Sequence, residues 1–512
     1  MSSCVESSAP QHISITPLLR RLWPSPGENK VTADEIALAI AHIFTDQLSS
    51  VQTGALLTCL HFTGWDRRPD VIAKCAAAMR DAASQIDRVA LDKVVKARGK
   101  PEGNYHGGLC DIVGTGGDSH HTFNISTTSS ILASSLLLLS KHGNRASTSK
   151  SGSADLLTST LPTAPNLTAV TPETIARVYE RSNYAFLFAP VFHPGMKYVA
   201  PIRRELGWRT IFNLLGPLAN PVEGNIEARI IGVARRDIGP VFAEALKMSG
   251  ARKAMVVCGE EDLDEISCAG RTYCWNLIDR STSQDESTHN IGVESFTISP
   301  SDFGLPTHEL KDVSPGKEPH ENAAILTSLL RNQLPTDDPI LEFVLMNTAA
   351  LFVVSGICEA DSSDMGHGDD GKVITERGPG GGRWKEGVRR ARWAIQSGEA
   401  WKQWRAFVEF SLFIYFQELF SIHQCYAILL WLGNRRSESA EAIESMGQLF
   451  ILARVEATIP HERSGARDKM YLLPRLTNIC TWPIGGRFIS SWLRILGDTN
   501  RRLQLAYRIY VN

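Results

Sequence analysis

The chain has no C-x-x-C pair, no block of lysine or arginine, and no apolar run that reads as a membrane span. Its ten cysteines are scattered through 512 residues. That argues against a zinc ribbon or a secreted disulfide framework and fits a reducing compartment, the cytoplasm. Formal net charge is −2, with no basic footprint for nucleic acid. Residues 1–17 lack the apolar core of a signal peptide. The run 136–139 is too short to cross a bilayer. The longer run 407–432 is interrupted by Gln417, Glu418, His423 and Gln424 and is read as not spanning a membrane. No Walker A, H-E-x-x-H or Ser-His-Asp order occurs, so covalent nucleophilic catalysis is not indicated.

What is present supports a large core and more than one domain, since 43% of the residues are hydrophobic. The first hundred residues read as helices. Thr32-Ala33-Asp34-Glu35 is a capping box, followed at helical spacing by Ile36, Ile40, Ile43, Phe44 and Leu48. A second helix is expected to start near Ser49 and stop near Gly64, and an alanine-rich third to span 70–83. These stripes predict a small helical domain. From Cys110 the texture changes to short apolar runs alternating with helical patterns. Residues 228–234 and 253–258 read as buried parallel strands, and 136–139 as another. The expected fold class is therefore α/β: a small N-terminal all-α domain beside a larger domain with a mainly parallel sheet. Segments 279–290 and 359–372 read as loops and 377–382 as a flexible lead into a last helix over 384–408. After Phe410, Lys469 is the last lysine and no clear period remains. The tail reads as foreign to the preceding domain, with poor order expected.

The chemistry-bearing segments lie on loops. Gly114-Thr115-Gly116-Gly117-Asp118 follows the apolar run 111–113. Three glycines in four positions let backbone approach a bulky anion. Asn124-Ile125-Ser126-Thr127 can open a helix whose first N–H groups favour negative charge, although the same residues also serve as plain helix caps. Residues 141–153 combine Lys141, Arg145 and Lys150 with hydroxyls and glycines, as a phosphate-facing loop would, while His142 and Asn144 add planar hydrogen-bonding groups. Arg203 offers a bidentate partner for a carboxylate. Asp264-Glu265, just past a predicted strand, could hold Mg²⁺.

This ordered set, with Phe212-Asn213-Leu214-Leu215-Gly216-Pro217 and Asp264-Glu265-Ile266-Ser267, resembles the anthranilate phosphoribosyltransferases from about Leu18 to Phe410. The resemblance implies a nucleoside phosphorylase/phosphoribosyltransferase-like fold, with a helical domain over 14–105 completed by helices around 171–205, and an α/β domain over 106–410. Residues 1–13 are then a flexible N-terminus and 411–512 a tail of uncertain order. It implies attack by the amine of anthranilate on C1 of 5-phosphoribosyl 1-diphosphate, with diphosphate leaving, in tryptophan biosynthesis. Carried over residue by residue, Gly114, Gly117, Asp118, Thr122, Asn124, Thr127, Lys141 and Ser153 contact the donor, and Ser126, Asp264 and Glu265 bind Mg²⁺. Gly114, His142, Asn144 and Arg203 hold anthranilate; Lys141, His142 and Arg203 are the residues nearest the chemistry. The family implies a cytoplasmic homodimer formed through the helical domain, with no nucleic-acid or membrane partner. Two alternatives stand beside this reading: a pyrimidine nucleoside phosphorylase, and a non-catalytic nucleotide-binding protein of the same fold.

Overall fold

The computed structural model describes residues 12–23, 31–146, 150–280, 290–314 and 317–433. The expected flexible N-terminus and uncertain tail lie largely outside these residues. The chain divides into two compact units, Met1–Leu412 and Phe413–Asn512, and the following description concerns the first. Among the described residues no helix is long and apolar enough to cross a membrane.

The N-terminal helices form where the capping chemistry directs. The helix Ala33–Phe44 starts at a capping box: the Thr32 hydroxyl accepts from the Glu35 amide at 3.2 Å, and Glu35 accepts from the Thr32 amide at 3.0 Å. The helix Ser50–Thr63 is capped by Ser49 and ends at Gly64, whose φ is 77°. Pro69–Asp81 starts with proline, which has no amide proton to leave unpaired. Their apolar faces share one core with Val199 of the later helix Met196–Leu206, and with Ile211 and Phe212.

Seven strands form one sheet: β1 Leu109–Gly114, β2 Leu138–Gly143, β3 Tyr184–Phe188, β4 Ile226–Gly232, β5 Lys253–Gly259, β6 Thr272–Asp279 and β7 Ile291–Ile298. Their order is β3-β2-β1-β4-β5-β6-β7. The first five are parallel; β6 and β7 are antiparallel. The parallel strands therefore end along one edge, and the loops after β1, β2, β4 and β5 gather there, as ligand-binding loops do in open α/β sheets. The helix Pro339–Ser355 is buried around most of its circumference and packs against β4 and the helix Ile125–Ala133.

Four local readings change, the last helix expected over 384–408 being broken at Ser397-Gly398 into Trp384–Gln396 and a second helix that begins at Glu399. β2 begins at Leu138 and carries Ser140, Lys141 and His142 inside the strand, so the apolar run 136–139 straddles its start. Asp279 closes β6, and the hairpin partner β7 was not foreseen. Segment 377–382 is held rather than loose: Arg377 forks onto Glu359 at 3.1 and 2.6 Å, and the Trp384 indole donates to Pro379 O at 3.0 Å. The 359–372 loop is likewise tied by Asp369, which accepts from Met365 N and Arg389 at 2.9 Å each. Burial opposes its ionisation, but these bonds hold that carboxyl down at about 2.

Thr32→Ala is expected to cost about 1 kcal/mol of stability, seen as a lower urea midpoint with an unchanged slope. An unchanged midpoint would show that the cap contributes nothing.

Candidate active site

The site is built where β1 and β4 end side by side. Gly114 is the register partner of Gly232. A Cβ on either glycine would overlap Asp264: its carboxylate in the case of Gly114, its backbone in the case of Gly232. The paired glycines make a notch, and the loop after β5 drops into it. The Gly116 amide then donates to the Asp264 carboxylate at 2.6 Å. Gly116 and Gly117 both have positive φ, 67° and 81°, so the turn can expose its backbone.

Around this notch the sequence-predicted donor and metal residues converge. Asp118 accepts from the Asp264 amide at 3.5 Å. Thr122 donates to Glu265 at 3.3 Å. The Asn124 side chain does not cap the helix that it precedes; it donates to Ser151 O at 2.9 Å. Thr127 donates to the Ser153 hydroxyl at 2.7 Å. The Lys141 ammonium is 2% exposed and donates to Ile112 O at 2.7 Å and to the Ser126 hydroxyl at 3.4 Å.

Electrostatics single out the same place. Burial, then repulsion from Asp118, drives the Asp264 carboxyl well above its usual range. Burial, then Asp264 and Asp118, does the same to Glu265, against the favourable Thr122 hydroxyl and Ser126 amide. Burial lowers the Lys141 ammonium, while Asp111, Glu265 and Asp264 pull it back up. Crowded carboxylates of this kind gain from a divalent cation. Among the described residues no three His, Cys, Asp or Glu side chains could hold a metal by themselves. The ion that suits this place is one completed by substrate phosphates and water, as Mg²⁺ is.

His142 alternates with Lys141 along β2. It lies 5.0 Å from His193 between ring centroids. Burial, then His193, keeps its imidazole neutral, well below the ordinary value. Arg203 sits on Met196–Leu206, reaches Asn213 Oδ1 at 3.3 Å, and has no carboxylate partner among the described residues. Of the three cations read over residues 141–153, only Lys141, on β2 itself, faces the site core. Arg145 is paired with Asp155 at 3.0 Å, and Lys150 lies 3.8 Å from Glu318. Asn144 accepts from the Arg145 amide at 2.8 Å.

Two residues to which the sequence assigned no site role belong here. His193, 3% exposed, contacts Ala219 O at 3.0 Å through Nε2. Arg209 donates to Gly116 O at 2.9 Å and lies so close to Gly117 that a Cβ there would overlap its guanidinium. Arg209-Thr210, just ahead of the Phe212–Pro217 motif, is the local signal for the second; the first opens the His193–Arg204 segment that also carries Arg203.

Residues 106–401 match the family model "Glycosyl transferase family, a/b domain", and residues 16–83 match the corresponding helical bundle domain. Anthranilate phosphoribosyltransferase of Schizosaccharomyces pombe is 43% identical over 323 residues, which is 63% of this chain and 83% of the relative. The Saccharomyces cerevisiae enzyme is 34% identical over 374 residues, covering 71% and 88%. The chain belongs to the anthranilate phosphoribosyltransferase family. A solved structure of the Saccharomyces cerevisiae enzyme in complex with PRPP and Mg aligns at TM-score 0.61 and 29% identity, covering 77% of this chain and 96% of that one. The same enzyme in complex with 4-fluoroanthranilate aligns at TM-score 0.60.

Burial lowers the His193 imidazole to about 4, below the ordinary 6.5. Between those values the unfolded chain binds a proton that the folded chain refuses, so this residue's contribution to stability falls as pH drops through that window. His193→Gln removes it. The variant's melting temperature is expected to fall less between pH 7 and pH 5 than that of the unaltered chain; an equal or larger fall would contradict a neutral, buried His193.

Proposed function

We propose that this chain transfers the phosphoribosyl group of 5-phosphoribosyl 1-diphosphate to the amine of anthranilate. The products are N-(5-phosphoribosyl)anthranilate and diphosphate, in the second step of tryptophan biosynthesis from chorismate. The observation that carries this reading is the gathering of Asp118, Asp264 and Glu265 around an exposed glycine turn. Buried Lys141 lies nearby. The Mg-bound and 4-fluoroanthranilate-bound relatives support it.

In this reading Gly114, Gly117, Asp118, Thr122, Asn124, Thr127, Lys141 and Ser153 take the donor. Backbone N–H groups of the glycine turn and of the helix start Ile125–Ala133 meet phosphate oxygens. Ser126, Asp264 and Glu265 would hold Mg²⁺, which supplies charge neutralisation of the departing diphosphate. Arg203 pairs with the anthranilate carboxylate, and Gly114, His142 and Asn144 frame the ring and amine. The nucleophile is already a neutral amine. It forms the new C1–N bond as the C1–O bond to diphosphate breaks, and then sheds a proton. Orientation by Arg203 and charge stabilisation by Lys141 at the leaving group are the chain's main contributions. We assign no general base.

We further take 14–105 with helices around 171–205 as the helical domain and 106–410 as the α/β domain. The same reading gives a cytoplasmic homodimer joined through the helical domain. The exposed Leu38 and Val51 on the N-terminal helices support that surface.

The test is the decay of anthranilate fluorescence on adding the chain, Mg²⁺ and donor. Arg203→Ala is then expected to raise the KM for anthranilate by about 10- to 100-fold, the worth of a charge-assisted hydrogen bond, and to leave the donor KM nearly unchanged. Equal rises in both would reject the carboxylate role.

A further inference from the structure

The helix Pro339–Ser355 is buried along most of its length beside the site, and Asn347 sits at its centre, 2% exposed. A primary amide in apolar surroundings is costly unless its bonds are made. Here three are made, and two of them leave the helix. The Ile266 amide donates to Asn347 Oδ1 at 3.1 Å, and Asn347 Nδ2 donates to Ile266 O at 3.1 Å. The third, Nδ2 to Phe343 O at 3.1 Å, anchors the amide to its own helix. Asn347 thus grips both backbone groups of one residue, as a neighbouring β-strand would.

That residue directly follows Asp264-Glu265. The same helix also receives the Ser129 hydroxyl on Val344 O at 3.3 Å. Ser129 lies on Ile125–Ala133, one turn beyond Ser126. One buried helix therefore references both sides of the cation site: the acidic pair through Asn347 and the Ser126 hydroxyl through Ser129. Carboxylates on a loop would otherwise drift apart under their own repulsion.

We propose that Asn347 is a positioning residue that holds Asp264 and Glu265 in register with Ser126, so that all three converge on one divalent cation. This rests on the functional reading above and deepens it. Asn347 is buried with its amide bonded to protein backbone, so its loss acts on the metal-dependent half of the site and spares the anthranilate half.

The experiment compares the full chain with Asn347→Leu, which keeps the volume and removes every bond, and with Asn347→Ser, which keeps one hydroxyl and decides the matter if the first variant does not fold. Mn²⁺ is titrated with donor present and followed by loss of the free-ion paramagnetic resonance signal; Mg²⁺ activation and both KM values are measured alongside. The expected result is metal binding weakened about 10- to 100-fold, with the anthranilate KM little changed. A folded variant with unaltered Mn²⁺ affinity overturns the assignment, as does an equal rise in the anthranilate KM. An unaltered chain that binds no Mn²⁺ with donor overturns the functional reading and this one with it.

Discussion

The site depends on the fit of one acidic residue into a notch made by two glycines. Gly114 and Gly232 end adjacent parallel strands in register, and only the absence of Cβ atoms lets Asp264 lie against both. From that contact follow the bond from the Gly116 amide, the exposure of the glycine turn, and the approach of Asp118 and Glu265. The sheet order that places β4 beside β1 is thus a chemical requirement as well as a topological one. A side chain at either strand end would push the acidic loop away from the turn that it must face.

Crowding half-buried Asp118, Asp264 and Glu265 together near a buried lysine is unfavourable for folding alone. Burial raises Asp264 and Glu265 and lowers Lys141, which marks each as poorly solvated in its charged form. Such an arrangement is expected where a ligand completes the charge balance. The surrounding structure restrains it by buried hydrogen bonds. Asn220 donates to Asp111 at 3.0 Å and to Ser140 O at 2.9 Å beneath the site. Glu386, fully buried on the helix Trp384–Gln396, which packs against Pro339–Ser355, accepts from Arg389, Arg390 and the Ile374 amide.

The features most legible in the sequence are those with local causes. The Thr32 capping box, the Gly64 stop and strands β4 and β5 follow from nearest neighbours and periodicity. β2 was misplaced because apolar runs report burial, whereas here the strand carries buried Ser140, Lys141 and His142; Ser140 and Lys141 find partners far away in sequence, and His142 Nε2 has none among the described residues. β7 was missed because it is half-buried or exposed, with only Ile298 fully buried, and β6 was missed although half of it is buried, because its apolar residues are interrupted by Tyr273 and Asn276. The residues assigned to donor and metal by resemblance were read as a set of motifs, and Asp118, Thr122, Ser126, Lys141, Asp264 and Glu265 lie together in space. That Arg145 and Lys150 lie beside Asp155 and Glu318, leaving Lys141 as the site's cation, could not be read from spacing. Nor could Arg209, whose importance comes only from lying on Gly117.

The most direct measurement is thermal unfolding of the full chain with Mg²⁺ and 5-phosphoribosyl 1-diphosphate together, set against a pyrimidine nucleoside with inorganic phosphate. Protection by the first pair alone is the expected result, amounting to about 2.7 kcal/mol when the donor stands at a hundred times its Kd. Protection by nucleoside and phosphate instead would contradict a donor site at the Asp264 notch and point to phosphorolysis.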